Sequence, residues 1–273
     1  MTGMARWEQL SWQEIGERRS RGLVAVLPVG SVEQHGPHLP VATDVLIPIG
    51  LADRVAAAGA EAAVGRPLVM LPPFYYTYAR HSNWWPGTLN LDGAALIGFT
   101  RAVLEDLFRQ DVLRLLMLNG HMESIQFIME GVELAVARYP SARVVLVNWW
   151  ELVADALIQE VFGDAWPGWE AEHAALTETS LMLAFYPELV RRDRIADDRA
   201  PRTLPYKVFP QPDVVRPPSG VYASAAAATA AIGERLAAHI TDGLRRVLGE
   251  WFGPDAKPQP ASPSRAGVPG AGA

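Results

Sequence analysis

Short apolar runs rich in β-branched residues alternate along this chain with longer stretches whose apolar positions recur at helical spacing. Residues 23–29, 67–71, 113–118 and 143–147 form the short runs, and each is bounded by turn residues or charge. They are continuous rather than alternating, which predicts strands buried on both faces. The helical stretches fall between and after them, over about 44–58, 92–109, 125–138 and 151–162. Strand–helix alternation of this kind predicts an α/β protein whose parallel sheet is covered by helices on both sides. Two more helices are expected, over 178–185 and over the alanine-rich 225–248, with Ser224 as the N-cap of the latter and Gly249 near its end. Between them the proline-rich 201–222 reads as an ordered loop crossing the surface. No repeat or linker divides the first 250 residues, so 1–252 reads as one catalytic-sized domain and the Pro/Ala/Gly-rich 253–273 as a disordered tail.

Composition narrows the chemistry. The 273 residues carry a formal net charge of -6 at pH 7 and no block of like charge, which argues against a nucleic-acid or membrane-surface partner. The first 22 residues lack the basic and apolar regions of a signal peptide, and no apolar run is long enough to span a bilayer, so a cytoplasmic location is expected. There is no cysteine. Disulfides, thiolate metal sites and a cysteine nucleophile are thereby excluded, and any metal must be held by His, Asp, Glu or water.

Candidate donors gather at the ends of the expected strands. After the first strand comes Gly30-Ser31-Val32-Glu33-Gln34-His35-Gly36-Pro37-His38, then Asp44; after the third comes Asn119-Gly120-His121-Met122-Glu123. In extended chain, i and i+2 share a face, so Glu33 can act with His35 and His121 with Glu123. Ligands of open α/β sheets bind beyond the carboxyl ends of strands, where 75–88 and Asn148-Trp149-Trp150 also belong. Taken singly, a His or Glu at a strand end is more often a cap or an ion-pair partner. Jointly, the buried carboxylates demand a cation. Five donors exceed the three that a mononuclear catalytic zinc takes, and they suit two divalent ions sharing one carboxylate. His38 reads as a residue that orients a ligand, while His81 and His239 have no assigned role.

A second group lies at 169–180. His173 is a candidate general acid/base beside Glu178, and Thr177 or Thr179 is the expected cap of the following helix. Trp84, Trp85, Trp149, Trp150, Trp166 and Trp169 all fall in loops or element ends, where they can wall a small planar substrate.

These residues resemble the creatininase family of metal-dependent amidohydrolases. The resemblance runs through 27–40, Asp44, Pro86-Gly87-Thr88, Asn119-Gly120-His121, Glu178-Thr179-Ser180 and Ser219-Gly220-Val221-Tyr222. It implies a three-layer α/β/α sandwich with a mostly parallel central sheet, a hexameric homo-oligomer, and two divalent ions, Zn or Mn, per subunit. It also implies that Glu33 and His121 hold one ion, His35 and Glu123 the other, and Asp44 bridges them. His173, Glu178 and Glu123 become the catalytic residues, and Trp150, Trp169, Met122 and Ser124 the substrate wall. Met122 and Ser124 depart from creatininase, which has Tyr and Asn there, and 81–85 is shorter and bears tryptophan. The implied reaction opens a small cyclic amide, creatinine to creatine. The rivals are another lactam, a formamide, a cyclic ketone, a terminal peptide bond, or a catalytically silent metal-binding scaffold.

Overall fold

A computed structural model describes residues 3–198, 206, 208–209 and 217–256. Among these residues, five strands form one parallel sheet: β1 (Ala5–Arg6), β2 (Val24–Val29), β3 (Leu68–Met70), β4 (Arg114–Asn119) and β5 (Arg143–Asn148), in the order β1-β3-β2-β4-β5. The helices are α1 (Trp12–Ser20), α2 (Thr43–Ala57), α3 (Ala60–Val64), α4 (Gly93–Arg109), α5 (Ile125–Arg138), α6 (Asp155–Phe162), α7 (Leu176–Phe185) and α8 (Ala230–Phe252).

Alternate residues of β2 serve different cores, as the two-residue period of a strand requires. Val24 and Val26 pack with Leu51, Leu181, Leu236 and Ile240 beneath α2, α7 and α8. Ala25, Leu27 and Val29 pack with Leu96, Leu104 and Ile128 beneath α4 and α5. These are the three layers of an α/β/α sandwich. The chain leaves β2 through α2 to reach β3 on one side, then returns through α4 to β4 on the other. Right-handed crossovers in opposite directions put α2 and α4 on opposite faces. They also make the β2/β4 boundary the point where strand order reverses.

Pro28 lies inside the central strand β2, a position proline normally avoids because it cannot donate to the ladder. Its carbonyl accepts from Phe74 N–H at 3.0 Å, so its nitrogen faces the same flank, where β3 has already ended at Met70. No strand partner is lost.

The structure corrects several boundaries. The segment 1–22, for which the pattern gave no element, supplies β1 and α1; α1 is fixed by a capping box in which Ser11 and Glu14 satisfy each other's backbone N–H. The helix expected over 151–162 is a 3₁₀ turn, Trp149–Leu152, followed by the shorter α6. The last helix starts at Ala230 rather than 225, because Thr229 and not Ser224 accepts from the first turn, at 3.1 Å from Ile232 N. Gly249 lies within that helix and Gly253 ends it. Most of the loop expected at 201–222 and all but the first residues of the tail lie outside the described residues. No helix among the described residues is long and apolar enough to cross a membrane.

Two glycines admit α2 to the strand ends. A Cβ on Gly30 would lie 2.4 Å from the Asp44 carbonyl, and one on Gly120 would lie 2.1 Å from it and 2.8 Å from Pro48 Cγ. Neither clash has a flexible side chain to yield. We therefore expect Gly120→Ala to cost about 1–3 kcal/mol of stability, read by denaturant unfolding; an unchanged midpoint would show that α2 is free to retreat.

Candidate metal centre

From β2 the chain crosses the sheet edge in an extended path. Val32 N–H donates to Tyr75 O at 3.0 Å and Glu33 N–H to Val41 O at 2.8 Å, which fixes the directions of Glu33 and His35. β4 ends in a turn shaped by Asn119: its Oδ1 accepts from His121 N–H at 3.1 Å, and its Nδ2 donates to His121 O at 2.9 Å and to Asn148 Oδ1 at 2.8 Å. Asp44 enters between these segments from the first turn of α2, and Glu178 from the first turn of α7.

The donors form two clusters that share Asp44. His121 Nδ1 lies 3.0 Å from Glu33 Oε2 and 3.0 Å from Asp44 Oδ2. His35 Nε2 lies 3.0 Å from Asp44 Oδ1 and 3.7 Å from Glu178 Oε2. Each oxygen of Asp44 thus faces a different imidazole, and all five residues are buried. The far ring nitrogens meet backbone carbonyls, His35 Nδ1 at 3.0 Å from Glu33 O and His121 Nε2 at 2.8 Å from Tyr78 O. A carbonyl only accepts, so the proton of each neutral ring sits there and the lone pair faces the carboxylates. The Ser82 hydroxyl donates to Glu33 Oε1.

The electrostatics of the pocket favour positive charge. Burial works against a charged His35, but Asp44 and Glu178 outweigh it and push the ring well above the ordinary histidine range. Burial likewise opposes a charged His121, and Glu33 and Asp44 override it. The pocket calls for positive charge. Among the described residues, His35 Nε2 and Asp44 Oδ2 make no well-formed hydrogen bond; what faces them at 3.0 Å is the opposing carboxylate and imidazole. Buried imidazole and carboxylate donors within 4.8 Å of one another can hold a divalent ion in each cluster.

The structure places the remaining residues in distinct positions. Glu123 stands outside both clusters and pairs with His81, whose backbone N–H also donates to its carboxylate at 3.2 Å. Beside His35, where Glu123 was expected, the structure sets Glu178. Ser124 is buried and its hydroxyl turns back to His121 O at 3.4 Å, away from any substrate wall, whereas Met122 is exposed. Neither Thr177 nor Thr179 caps α7. Glu172 does, accepting from Thr177 N–H at 2.6 Å and Glu178 N–H at 3.1 Å, and so anchors the turn that carries Glu178. Thr179 instead meets His38 Nε2 at 3.0 Å, and burial next to His35 lowers His38 to about 4, keeping it neutral.

His173 lies over the second cluster, its ring 4.5 Å from that of His35 and 5.1 Å from that of Tyr222. Gln34 holds it from two sides: His173 Nε2 is 3.0 Å from the Gln34 carbonyl and 2.9 Å from the Gln34 side-chain nitrogen. The Gln34 amide is itself fixed, accepting from Gly36 N–H at 3.0 Å and donating to Gly220 O at 2.9 Å. Gly220 has φ +83 and a Cβ there would strike Gln34, so both its conformation and its contact call for glycine. Trp150 and Trp169 both meet the buried Trp149 edge-on, at 5.8 and 6.2 Å between centroids. Ser82, Tyr222 and Glu172 are site residues for which the sequence offers no role. Tyr222 stood in the Ser219–Tyr222 motif, but nothing local distinguishes Ser82 or Glu172.

A parallel α/β sandwich with buried histidine–carboxylate clusters at the strand-order reversal defines a protein with a metal-binding centre. The family model of creatininase, creatinine amidohydrolase, matches residues 8–248. The chain belongs to that family and is a hydrolase acting on C–N amide bonds. It is 36% identical to a creatinine amidohydrolase of Pseudomonas putida over 258 residues, 90% of this chain and 96% of that protein. A solved structure of a manganese form of creatininase superposes with a TM-score of 0.84 at 35% identity, covering 92% of this chain and all of the other. A mycofactocin precursor peptide peptidase of Mycolicibacterium smegmatis is 30% identical over 84% of this chain and 85% of its own length.

Proposed function

We propose that this protein is a dinuclear metal-dependent amidohydrolase that opens a small cyclic amide, creatinine to creatine. One observation carries the reading: Asp44 presents one oxygen to each of two buried donor clusters, with His173 directly above the second. Glu33, Asp44 and His121 would hold one ion, and His35, Asp44 and Glu178 the other, manganese or zinc by the chemistry of the donors. Bound there, the ions would supply an activated water and polarise the amide carbonyl.

The chain's own residues do the rest. His173 gives a proton to the nitrogen that leaves the ring, and the backbone carbonyl and side-chain amide of Gln34 offer a partner to Nε2 with its proton or without it. Trp150 and Trp169 supply flat apolar walls for a planar, weakly charged ring. Similarity to the Pseudomonas enzyme over 96% of its length supports this substrate class above the others. Glu123, paired with His81, is assigned to the substrate's polar groups rather than to an ion. A cytoplasmic homo-oligomer fits a small-molecule enzyme of this kind.

Two measurements test the reading. Elemental analysis should find about two ions per chain, about one in Glu178→Gln, and about none in Asp44→Asn, since only Asp44 belongs to both clusters; equal losses in the two variants would refute the shared carboxylate. Manganese- or zinc-loaded protein should open creatinine in a panel that includes other lactams, a formamide, a cyclic ketone and an oligopeptide. His173→Ala should lower kcat by about 10²–10⁴-fold with metal content intact. Turnover of the oligopeptide alone, or wild-type kcat in His173→Ala, would overturn the assignment.

A further inference from the structure

The opposite edge of the sheet carries an unexplained concentration of positive charge. Arg114 and Arg143 are the first residues of β4 and β5 and are direct partners in the parallel register, so their side chains leave the sheet on one face. Arg66, just before β3, joins them: a Cβ on Gly22 would lie 2.4 Å from Arg66 Nη1 and 3.6 Å from Arg114 Nη1. The three guanidiniums line a cavity of about 310 Å³ together with Ser141 and Trp251.

Two of the arginines have a structural task. Arg66 Nε donates to Phe252 O at 3.1 Å and Arg143 Nη1 to Trp251 O at 2.9 Å, so they satisfy the last carbonyls of α8, where a cation is favoured. Arg114 has no such task. Among the described residues its side chain makes no hydrogen bond or ion pair, and no described carboxylate lies within 4.0 Å of any of the three guanidiniums. Like charges set directly across strands are unfavourable, and this pair sits in a half-buried pocket. Burial, together with Arg66 and Arg143, holds Arg114 below the ordinary arginine range.

We propose that Arg66, Arg114 and Arg143 form an anion site for a phosphate-bearing small molecule, on the far side of the sheet from the metal centre. Guanidiniums present planar forks of donors that match phosphate oxygens, and Arg66 and Arg143 each commit one donor to α8 and retain others. The volume exceeds that of a bare phosphate and reaches the lower range of small-molecule pockets, leaving room for an organic portion beside the guanidiniums. Ser141 adds a neutral donor at the wall.

The test uses metal-loaded full-length protein in thermal unfolding and titration calorimetry, with inorganic phosphate and glucose 6-phosphate as probes and sodium chloride at equal ionic strength as reference. Phosphate should raise the wild-type Tm by about 2–4 °C above chloride when in ten-fold excess over Kd. Arg114→Gln, which keeps the metal centre and both α8 contacts, should abolish that shift, weaken binding at least ten-fold, and be no less stable than wild type without anion. Tighter binding of glucose 6-phosphate than of phosphate assigns an organic phosphate; the reverse assigns the free ion. Should Arg114→Gln fail to fold, Ser141→Asp provides a carboxylate inside the cavity, and it should stabilise the protein and remove the phosphate response. Equal shifts in wild type and variants, or no shift in wild type, would overturn the site.

Discussion

Asp44 is held at the centre by its backbone. Its carbonyl sits where side chains on Gly30 and Gly120 would otherwise be, between the ends of β2 and β4. Pro48, one turn further along α2, has no N–H to offer that carbonyl and packs its ring beside Gly120 instead. The two strands next to the strand-order reversal can therefore close on a helix terminus with no spacer. Every other donor is positioned relative to this point: Glu33 and His35 by the path leaving Gly30, His121 by the turn following Gly120, and Glu178 by α7, which packs against α2.

From that placement the electrostatics follow. Three carboxylates are taken out of water, Glu33 and Glu178 each with an oxygen within 4.8 Å of one of Asp44, an arrangement strongly unfavourable without compensating charge. The two imidazoles are turned by backbone carbonyls so that lone pairs face inward. Cation binding and folding stability are thus linked, because the ions repay the burial of the acids. Above His35 lies the His173 ring, which in turn meets Tyr222.

Much of this was legible in the chain. The continuous apolar runs gave four of the five strands and their parallel order of faces, because burial on both sides leaves no polar position to interrupt them. The i, i+2 spacing of Glu33 with His35 marked the strand-end segment, but the same spacing paired His121 with Glu123, and there the turn at Asn119 directs His121 inward while Glu123 meets His81. Glu178 is brought beside His35 by helix packing between residues more than a hundred positions apart, which no local spacing encodes. β1 is two residues long and pairs with β3 at one end of the sheet, too short to leave a pattern. The cap of α7 was misplaced for a related reason: Glu172 reaches across a non-helical turn, with Ala174 at φ +54, to a helix start that threonines also could have served.

The two edges of the sheet carry opposite charge problems. At the carboxyl edge buried acids and imidazoles can hold cations, and at the amino edge three arginines have no acid within 4.0 Å among the described residues. The central claim concerns the first edge, that one carboxylate organises two ion sites. Crystals of manganese- or zinc-loaded protein, measured at the metal's absorption edge, test it most directly. Two anomalous peaks about 3.5–4 Å apart, one on either side of the Asp44 carboxylate, are the predicted result. A single peak, or peaks that leave Asp44 uncoordinated, would contradict the account.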